Sequence, residues 1–319
     1  MQRPCDVTSQ IANQDTRVSV VIVTRGRAQV LADCLASVQD QSRLPDQIVV
    51  VAGDEASCPQ ELIERIDGCE RVRVMCPEPN ICKARNLGID HAIGAIVIFI
   101  DDDAVAEQGW IESLVDTFDE HPDAWVVGGV VYDARIQPPV FEFAHGLIRP
   151  SGSQIEVRSN STDPPPREYV TTVKGCNFAL HLGRLPGGIR FDPFFRFAFD
   201  EADFVLTVHA LGGGVLSAPR ATVHHLHAPG IYRASSPLDR DWFTEFASHT
   251  MFMLKHTRGI ARWTGWGVLI RRLAKHTLVA CGSSVARRVS QERALKAVLD
   301  AFAGVRFAAL SRDTDQSFR

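Results

Sequence analysis

Two hydrophobic rhythms divide the chain. Val18–Val23 (VSVVIV) and Gln47–Ala52 (QIVVVA) are nearly unbroken apolar runs rich in β-branched residues, the pattern of strands covered on both faces. Between them Val30, Leu31, Cys34, Leu35 and Val38 recur at helical spacing. A helix around Gln60–Ile66 and a strand at Arg71–Met75 follow. Asn80–Ile93 reads as a helix with Asn80 as its N-cap and Gly94 ending it. Ala95–Ile100 (AIVIFI) is the most apolar strand of the chain. Strands and helices alternating at this length predict right-handed crossovers and a mainly parallel sheet.

After residue 105 the rhythm changes. Trp110–Phe118 is predicted helical and Ala124–Tyr132 extended. Residues 133–168, rich in Pro, Gly, Ser and Arg and including Pro164–Pro166, read as an irregular excursion with one strand near Phe141–Ile148. Loops of that length are usually functional or disordered. Tyr169–Leu180 is strand material, Glu201–Leu211 a helix, and Gly214–Ser217 and Ala221–His224 are short strands. From residue 238 the pattern is helical, with candidates at Trp242–Leu254, Trp266–Val279 and Gln291–Phe302. This gives a loose tail over 1–17, an α/β domain over 18–230 and a helical extension over 231–319. The α/β domain divides into halves at 18–105 and 106–230.

Composition narrows the function classes. The chain has 319 residues, 45% hydrophobic and 23% charged, with a formal net charge of -4. That is ordinary for a globular protein and gives no global basic field for nucleic acid. No stretch has the form of a signal peptide or an apolar run of about 18 residues. The eight cysteines are scattered without a CxxC pair, which predicts reduced thiols and a cytoplasmic protein.

The candidate chemistry sits at the ends of the predicted strands. Asp101-Asp102-Asp103 follows AIVIFI, at the edge where open α/β sheets bind ligands. Three adjacent carboxylates need a compensating cation, and Asp101 and Asp103 share a face on an extended chain, so they predict a Mg²⁺ or Mn²⁺ site that also engages a diphosphate. A solvated acidic turn is the alternative. Asp54, after the second strand, is placed to meet a ribose or base, or simply to form a turn. Lys83, Arg85 and Asn86 open a helix, where cations and backbone N–H groups suit a diphosphate. Asp200, Glu201 and Asp203 cluster at another helix start after FDPFFRFAF. Acids favour helix N-termini, and a carboxylate among aromatics and other acids also gains the raised pKa of a general base. His224, His225 and His227 follow a short strand; either one of them completes the cation's coordination or all three are neutral surface histidines.

In this order these motifs resemble the family 2 glycosyltransferases of GT-A fold, over Val18–His227. VSVVIVTRGRAQVLADCLASVQDQ looks like the family's first strand and helix. The resemblance implies that Thr24 and Arg25 lie beside the nucleotide, that Asp54 meets the base, and that Arg85 and Asn86 of ARNLGID approach the donor. FIDDDA resembles the DXD segment. Asp103 is then the direct metal ligand, with Asp101 and Asp102 at the ribose and diphosphate or in support, and Asp101 a second candidate ligand. KGCNFAL is similar to the acceptor-side strand, which puts Gly175, Cys176 and Asn177 by the sugar pocket, together with Asp203. FDEADF resembles the family's Glu-Asp motif with the acids exchanged. Glu201 falls where the catalytic base stands, and Asp200 is the alternative. The late histidine ligand maps to His225 or His227, with His225 preferred.

The activity so implied is metal-dependent transfer of a sugar from a nucleotide-sugar, UDP-sugar favoured, to an acceptor hydroxyl in one inverting displacement. A sugar nucleotidyltransferase would need a glycine-rich loop after the first strand, where Thr24-Arg25-Gly26-Arg27 holds one glycine. A Rossmann dehydrogenase would need GxGxxG there. A nucleotide-sugar-binding protein without transferase activity is the other alternative. From Phe246 to Gln291 there is no acidic residue, while Lys255, Arg258, Arg262, Arg271, Arg272, Lys275, Arg287 and Arg288 accumulate around Trp263 and Trp266. This predicts either peripheral contact with an anionic membrane that presents a lipid-linked acceptor, or a helical cap with a solvated basic face.

Overall fold

The computed structural model describes residues 17–143, 145–157, 170–230, 240–286 and 289–311. The polar tail, apart from Arg17, lies outside the described residues, as do Pro164–Pro166 and the Arg287–Arg288 pair.

The apolar runs become β1 (Val18–Thr24), β2 (Gln47–Ala52) and β4 (Ile96–Asp101), with β3 (Glu70–Met75) at the edge. These pair in parallel in the order β3-β2-β1-β4. Helices α1 (Ala28–Gln39), α2 (Gln60–Glu64) and α3 (Ile81–His91) make the crossovers. Alternate residues of each strand feed two apolar layers. Val20, Ile22, Ile48 and Val50 pack with Leu31, Leu35 and Val38 of α1 on one side. Val21, Val49, Val51 and Phe99 pack with Ala84 and Ile89 of α3 on the other. Helix α3 comes close because residue 88 has no side chain: a Cβ there would stand 2.3 Å from Val21 Cγ1. Asn80 caps α3, its side chain accepting from the Lys83 N–H at 3.1 Å.

Beyond β4 the sheet is mixed. It continues β11 (Asn177–His181), β6 (Ala124–Asp133), β12 (Gly214–His225) and β5 (Ala104–Ala106), with β7 (Val140–Phe143) also on β6. Strand β11 is antiparallel to both β4 and β6, whereas β12 runs parallel to β6. The expected short strands at 214–217 and 221–224 are one strand, whose register shifts between Ala218 and Thr222. Pro219 lies in that interval and cannot donate to a ladder, which is why the sequence reads as two strands. The expected strand Tyr169–Leu180 divides instead. The Lys174–Cys176 turn, closed by Asn177 N–H to Lys174 C=O at 3.0 Å, separates β11 from β10 (Val170–Thr172). Strand β10 joins β8 (His145–Ile148) and β9 (Gln154–Val157) in a small second sheet, so the predicted excursion carries three short strands rather than one.

Helix α4 (Trp110–Glu120) covers one face, and α5 (Asp200–Ala210) follows the aromatic stretch. The C-terminal helices α6 (Trp242–His256), α7 (Ile260–Val285) and α8 (Gln291–Ser311) are each longer than expected. Helix α8 buries Ala294, Ala297, Ala301, Gly304 and Ala308, a face of small residues that a search for large apolar side chains passes over. No helix of the described residues is long and apolar enough to cross a membrane.

Candidate active site

The carboxyl ends of β1, β2 and β4, the Lys174–Cys176 turn, the start of α5 and the end of β12 surround a cleft of about 460 Å³. Of the predicted residues, Thr24, Arg25, Arg85, Asp101, Gly175, Cys176, Asp200, Glu201 and His225 line it. The α/β layout converges them from positions far apart in sequence, as expected where strand ends meet.

Arg27 answers the repulsion among the three aspartates. Its guanidinium reaches Asp102 at 2.5 Å and Asp103 at 3.0 Å, and both carboxylates are fully buried. Asp103 also accepts from the Ala228 N–H at 2.8 Å and faces His225 Nε2 at 3.4 Å. Burial pushes Asp102 up to about 7, even with Arg27 opposing the shift. Asp102 and Asp103 lie buried behind Arg27, while Asp101 is the acid of the triplet that lines the cleft.

Ligand atoms of Asp101, Cys176 and His225 all lie within 4.8 Å of one another, and a second such group is Glu142, His225 and His227. A carboxylate and an imidazole on one side of an open cleft are a donor set that fits a divalent cation. Burial pulls the His225 imidazole down, but Cys176, Asp103 and Glu142 more than reverse this without a cation, and a bound cation would take the place of the proton. Burial likewise opposes ionisation of Glu142, yet His225, Lys174 and His227 hold its carboxyl well below the usual range. Glu142 meets Lys174 at 3.1 Å and His227 at 2.8 Å. His227 has φ 52, a left-handed backbone that a side-chain-bearing residue adopts at a cost.

On the opposite wall, buried Arg85 pairs with Asp200 and donates to the Gly175 carbonyl at 3.0 Å. Its guanidinium lies 5.3 Å from the Phe178 ring centroid and 5.4 Å from that of Phe191. Phe199, just before α5, also takes a left-handed conformation (φ 64) and stacks on His249 with ring centroids 5.0 Å apart. This turn aims Asp200 at Arg85 and leaves Glu201, half-buried, facing the cleft. Burial, and then the adjacent Asp200 carboxylate, push Glu201 up to about 8. A Cβ on Gly175 would lie 3.2 Å from Glu201 Oε1, so the missing side chain keeps this carboxylate open.

Other predicted residues lie elsewhere. Asp203 is buried against Lys255 (2.8 Å) and His256 (2.7 Å) and ties α5 to α6 instead of lining the sugar pocket. Asn177 accepts from Trp110 Nε1 at 2.8 Å and donates to the Val130 and Ala221 carbonyls at 2.9 Å, so it fastens β11 between its neighbours. Asn86 is bonded to the backbone of Phe191, and exposed Lys83 pairs with Glu78. Asp54 sits at the rim, accepting from Ser57, which lowers its pKa; Gly53 beside it lines the cleft. Sequence reading missed Arg27, Glu142 and Lys174. Arg27 was visible as the second cation of TRGR, but Glu142 lies in an excursion with no motif.

Residues 19–141 match the model described as Glycosyl transferase family 2. The "Glucosyl-dolichyl phosphate glucuronosyltransferase" of Haloferax volcanii is 34% identical over 119 residues, 36% of this chain and 38% of that one. The "Succinoglycan biosynthesis protein ExoM" of Rhizobium meliloti is 25% identical over 305 residues, 91% of this chain and 92% of that one. Among solved structures, GalNAc-T7 with UDP, GalNAc and Mn²⁺ superposes with TM-score 0.60 at 15% identity, covering 75% of this chain and 48% of that one. S. aureus TarS 1-349 in complex with UDP-GlcNAc superposes with TM-score 0.57 at 14% identity, covering 91% and 82%. The chain thus spans less than half the length of the Haloferax relative and of GalNAc-T7, but nearly all of ExoM. The family match ends before Glu201 and His225, whose places rest on the fold. Residues 19–141 are thus similar to the family 2 glycosyl transferases, and the fold is the GT-A fold of the solved neighbours.

Proposed function

We propose that the protein is a divalent-cation-dependent glycosyltransferase that moves a sugar from a nucleotide-sugar, UDP-sugar favoured, to an acceptor hydroxyl by one in-line, inverting displacement. The observation that carries this reading is the placement of Glu201. Its carboxylate, with its pKa raised to about 8, faces the same cleft as Asp101 and His225 and is kept open by Gly175. A base matched to neutral pH within reach of an acceptor is what proton removal requires.

Asp101 and His225 are the residues that would hold the cation, with Cys176 beside them; when bound, it supplies a Lewis acid for the departing diphosphate. Arg27 and Asp103 fix His225 from behind. Arg25, whose guanidinium donates to the Cys76 and Pro77 carbonyls at 2.7 Å, borders the nucleotide end of the cleft. Glu201 takes the acceptor hydroxyl proton as that oxygen attacks the anomeric carbon. Arg85 fixes the Asp200 carboxylate beside it, and Asp200 raises the basicity of Glu201. Orienting both substrates in one cleft supplies about 7–11 kcal/mol of barrier lowering in favourable cases. UDP, UDP-GlcNAc and Mn²⁺ in the names of the solved neighbours support the choice of donor and cation. The test is Glu201→Gln. Turnover is expected to fall about 10²–10⁴-fold with the affinity for UDP and Mn²⁺ unchanged; unaltered turnover would remove Glu201 from the base role.

The C-terminal helices carry a second part of the proposal, peripheral contact with an anionic membrane. Ile260, Trp263, Ile270, Leu278 and Val285 are exposed on one stripe of α7, and Leu295, Leu299, Phe302 and Leu310 on one stripe of α8. Apolar stripes flanked by cations suit the membrane interface. Co-sedimentation with phosphatidylglycerol vesicles is expected to be lost in Ile270→Glu/Leu278→Glu; equal sedimentation of the variant, or none by the parent protein, rejects the contact.

A further inference from the structure

Among the described residues, a second cleft of about 790 Å³ opens behind the first and shares Lys174, Phe197, Glu201 and Glu245 with it. Glu201 therefore looks into both spaces. The charges on the far wall are unbalanced. Lys174 is paired with Glu142, and Arg272 with Glu245. Arg271 and Lys275, one turn apart on α7, line this cleft, are exposed, and have no ion pair among the described residues. No acidic residue of α7 opposes them. The floor is formed by Phe199 stacked on His249, which burial and Arg272 hold near 4 and so neutral at physiological pH. The cleft thus joins a flat ring surface, a catalytic carboxylate at one end and two free cations at the other.

From this arrangement we infer that the second cleft is the acceptor subsite and that it takes an acceptor carrying a phosphate-class anion, which Arg271 and Lys275 bind while the hydroxyl to be glycosylated reaches Glu201. The inference rests on the reading of Glu201 as base and adds the charge class of the acceptor to it. Two cations i, i+4 on one helix face suit a tetrahedral dianion, which accepts from both at once. The cleft-lining side of α7, with Val268, Arg272 and Lys275, adjoins the stripe that exposes Ile270 and Leu278. An anionic group attached to a lipid would enter from that edge, and a soluble anionic acceptor would reach the same cations.

The experiment titrates three probes into protein saturated with UDP and Mg²⁺, so that the donor cleft is filled: octyl phosphate, inorganic phosphate and octyl glucoside. Octyl phosphate is expected to bind, and Arg271→Gln/Lys275→Gln to weaken it at least tenfold with affinities for UDP and octyl glucoside unchanged. Both positions are exposed, so the variant should keep its melting temperature. Octyl phosphate binding much tighter than inorganic phosphate identifies a lipid-borne anion; equal affinities identify a soluble one. Either supports the subsite. Failure of both phosphates to bind, or equal binding by the variant, overturns it. If UDP itself does not bind, the donor reading falls instead, and the phosphate titration without nucleotide still judges the subsite.

Discussion

In the first half of the sheet β1, β2 and β4 run parallel, bury nearly every side chain, and deliver Thr24, Gly53 and Asp101 to the cleft from ordinary strand ends. The second half reaches the same cleft by other means. It uses a three-residue turn at Lys174–Cys176, a left-handed Phe199, a left-handed His227 and a buried Arg85–Asp200 pair that crosses between the halves. Where side chains leave the ends of parallel strands, regular structure is enough. On the opposite wall the chain adopts costly backbone angles and buried charges that the packing around them maintains.

The largest expected effect tests that crossing pair. Arg85→Met leaves the Asp200 carboxylate without its partner in a buried site, and breaking a buried pair typically costs about 3–5 kcal/mol. Urea unfolding should show a loss of that order, and Arg85→Met/Asp200→Asn should recover part of it. A loss below about 1 kcal/mol would mean that the two halves do not depend on the pair.

Next in size is the pH dependence of transfer. A base must be ionised to act, and Glu201 is protonated below about 8. kcat/KM should therefore rise about tenfold per pH unit up to that point and then level. Asp200, Arg85 and Lys174 are the charges around it. Because Asp200 raises Glu201, Asp200→Asn should move the limb to lower pH, and Glu201→Gln should abolish it. A limb that stays in place in Glu201→Gln belongs to another group.

The regular half is probed by packing rather than charge. Gly88→Ala forces a methyl into the space of Val21, and overpacking of this kind costs about 1–3 kcal/mol. The rise of activity with pH should be unchanged, since nothing at the reacting end moves. An altered limb would show that α3 sets the geometry of both halves.

These contrasts also explain what could be read in the sequence. Apart from the three-residue β5, the order of strands and helices through residue 130 follows from apolar periodicity, because the apolar side chains there answer to the layers of the core. DDD, ARNLGI and FDEADF were legible as chemistry, and nine of the predicted residues meet in one cleft. Asp203, Asn177 and Asn86 look the same in sequence but hold elements together, since a polar residue inside a motif serves equally well as a fastener. The partner that sets Asp103 apart from Asp101 is Arg27, and that pairing spans three helices and three strands of the chain. Glu142 was invisible because its meaning arises only when β7 lies against β6.

The smallest effect concerns Asn80, which serves both halves at once. Its side-chain oxygen caps α3 while its nitrogen donates to the Pro193 carbonyl at 2.8 Å in the segment before α5. Asn80→Ala removes the cap, about 1 kcal/mol, and one hydrogen bond of similar size. Asn80→Asp keeps the cap but cannot donate to Pro193, so it should lose only the second part. If the aspartate variant is as destabilised as the alanine one, the bond to Pro193 is the stronger contact. The start of α3 would then be held chiefly by the segment before α5, and the regular region would owe part of its order to the irregular one.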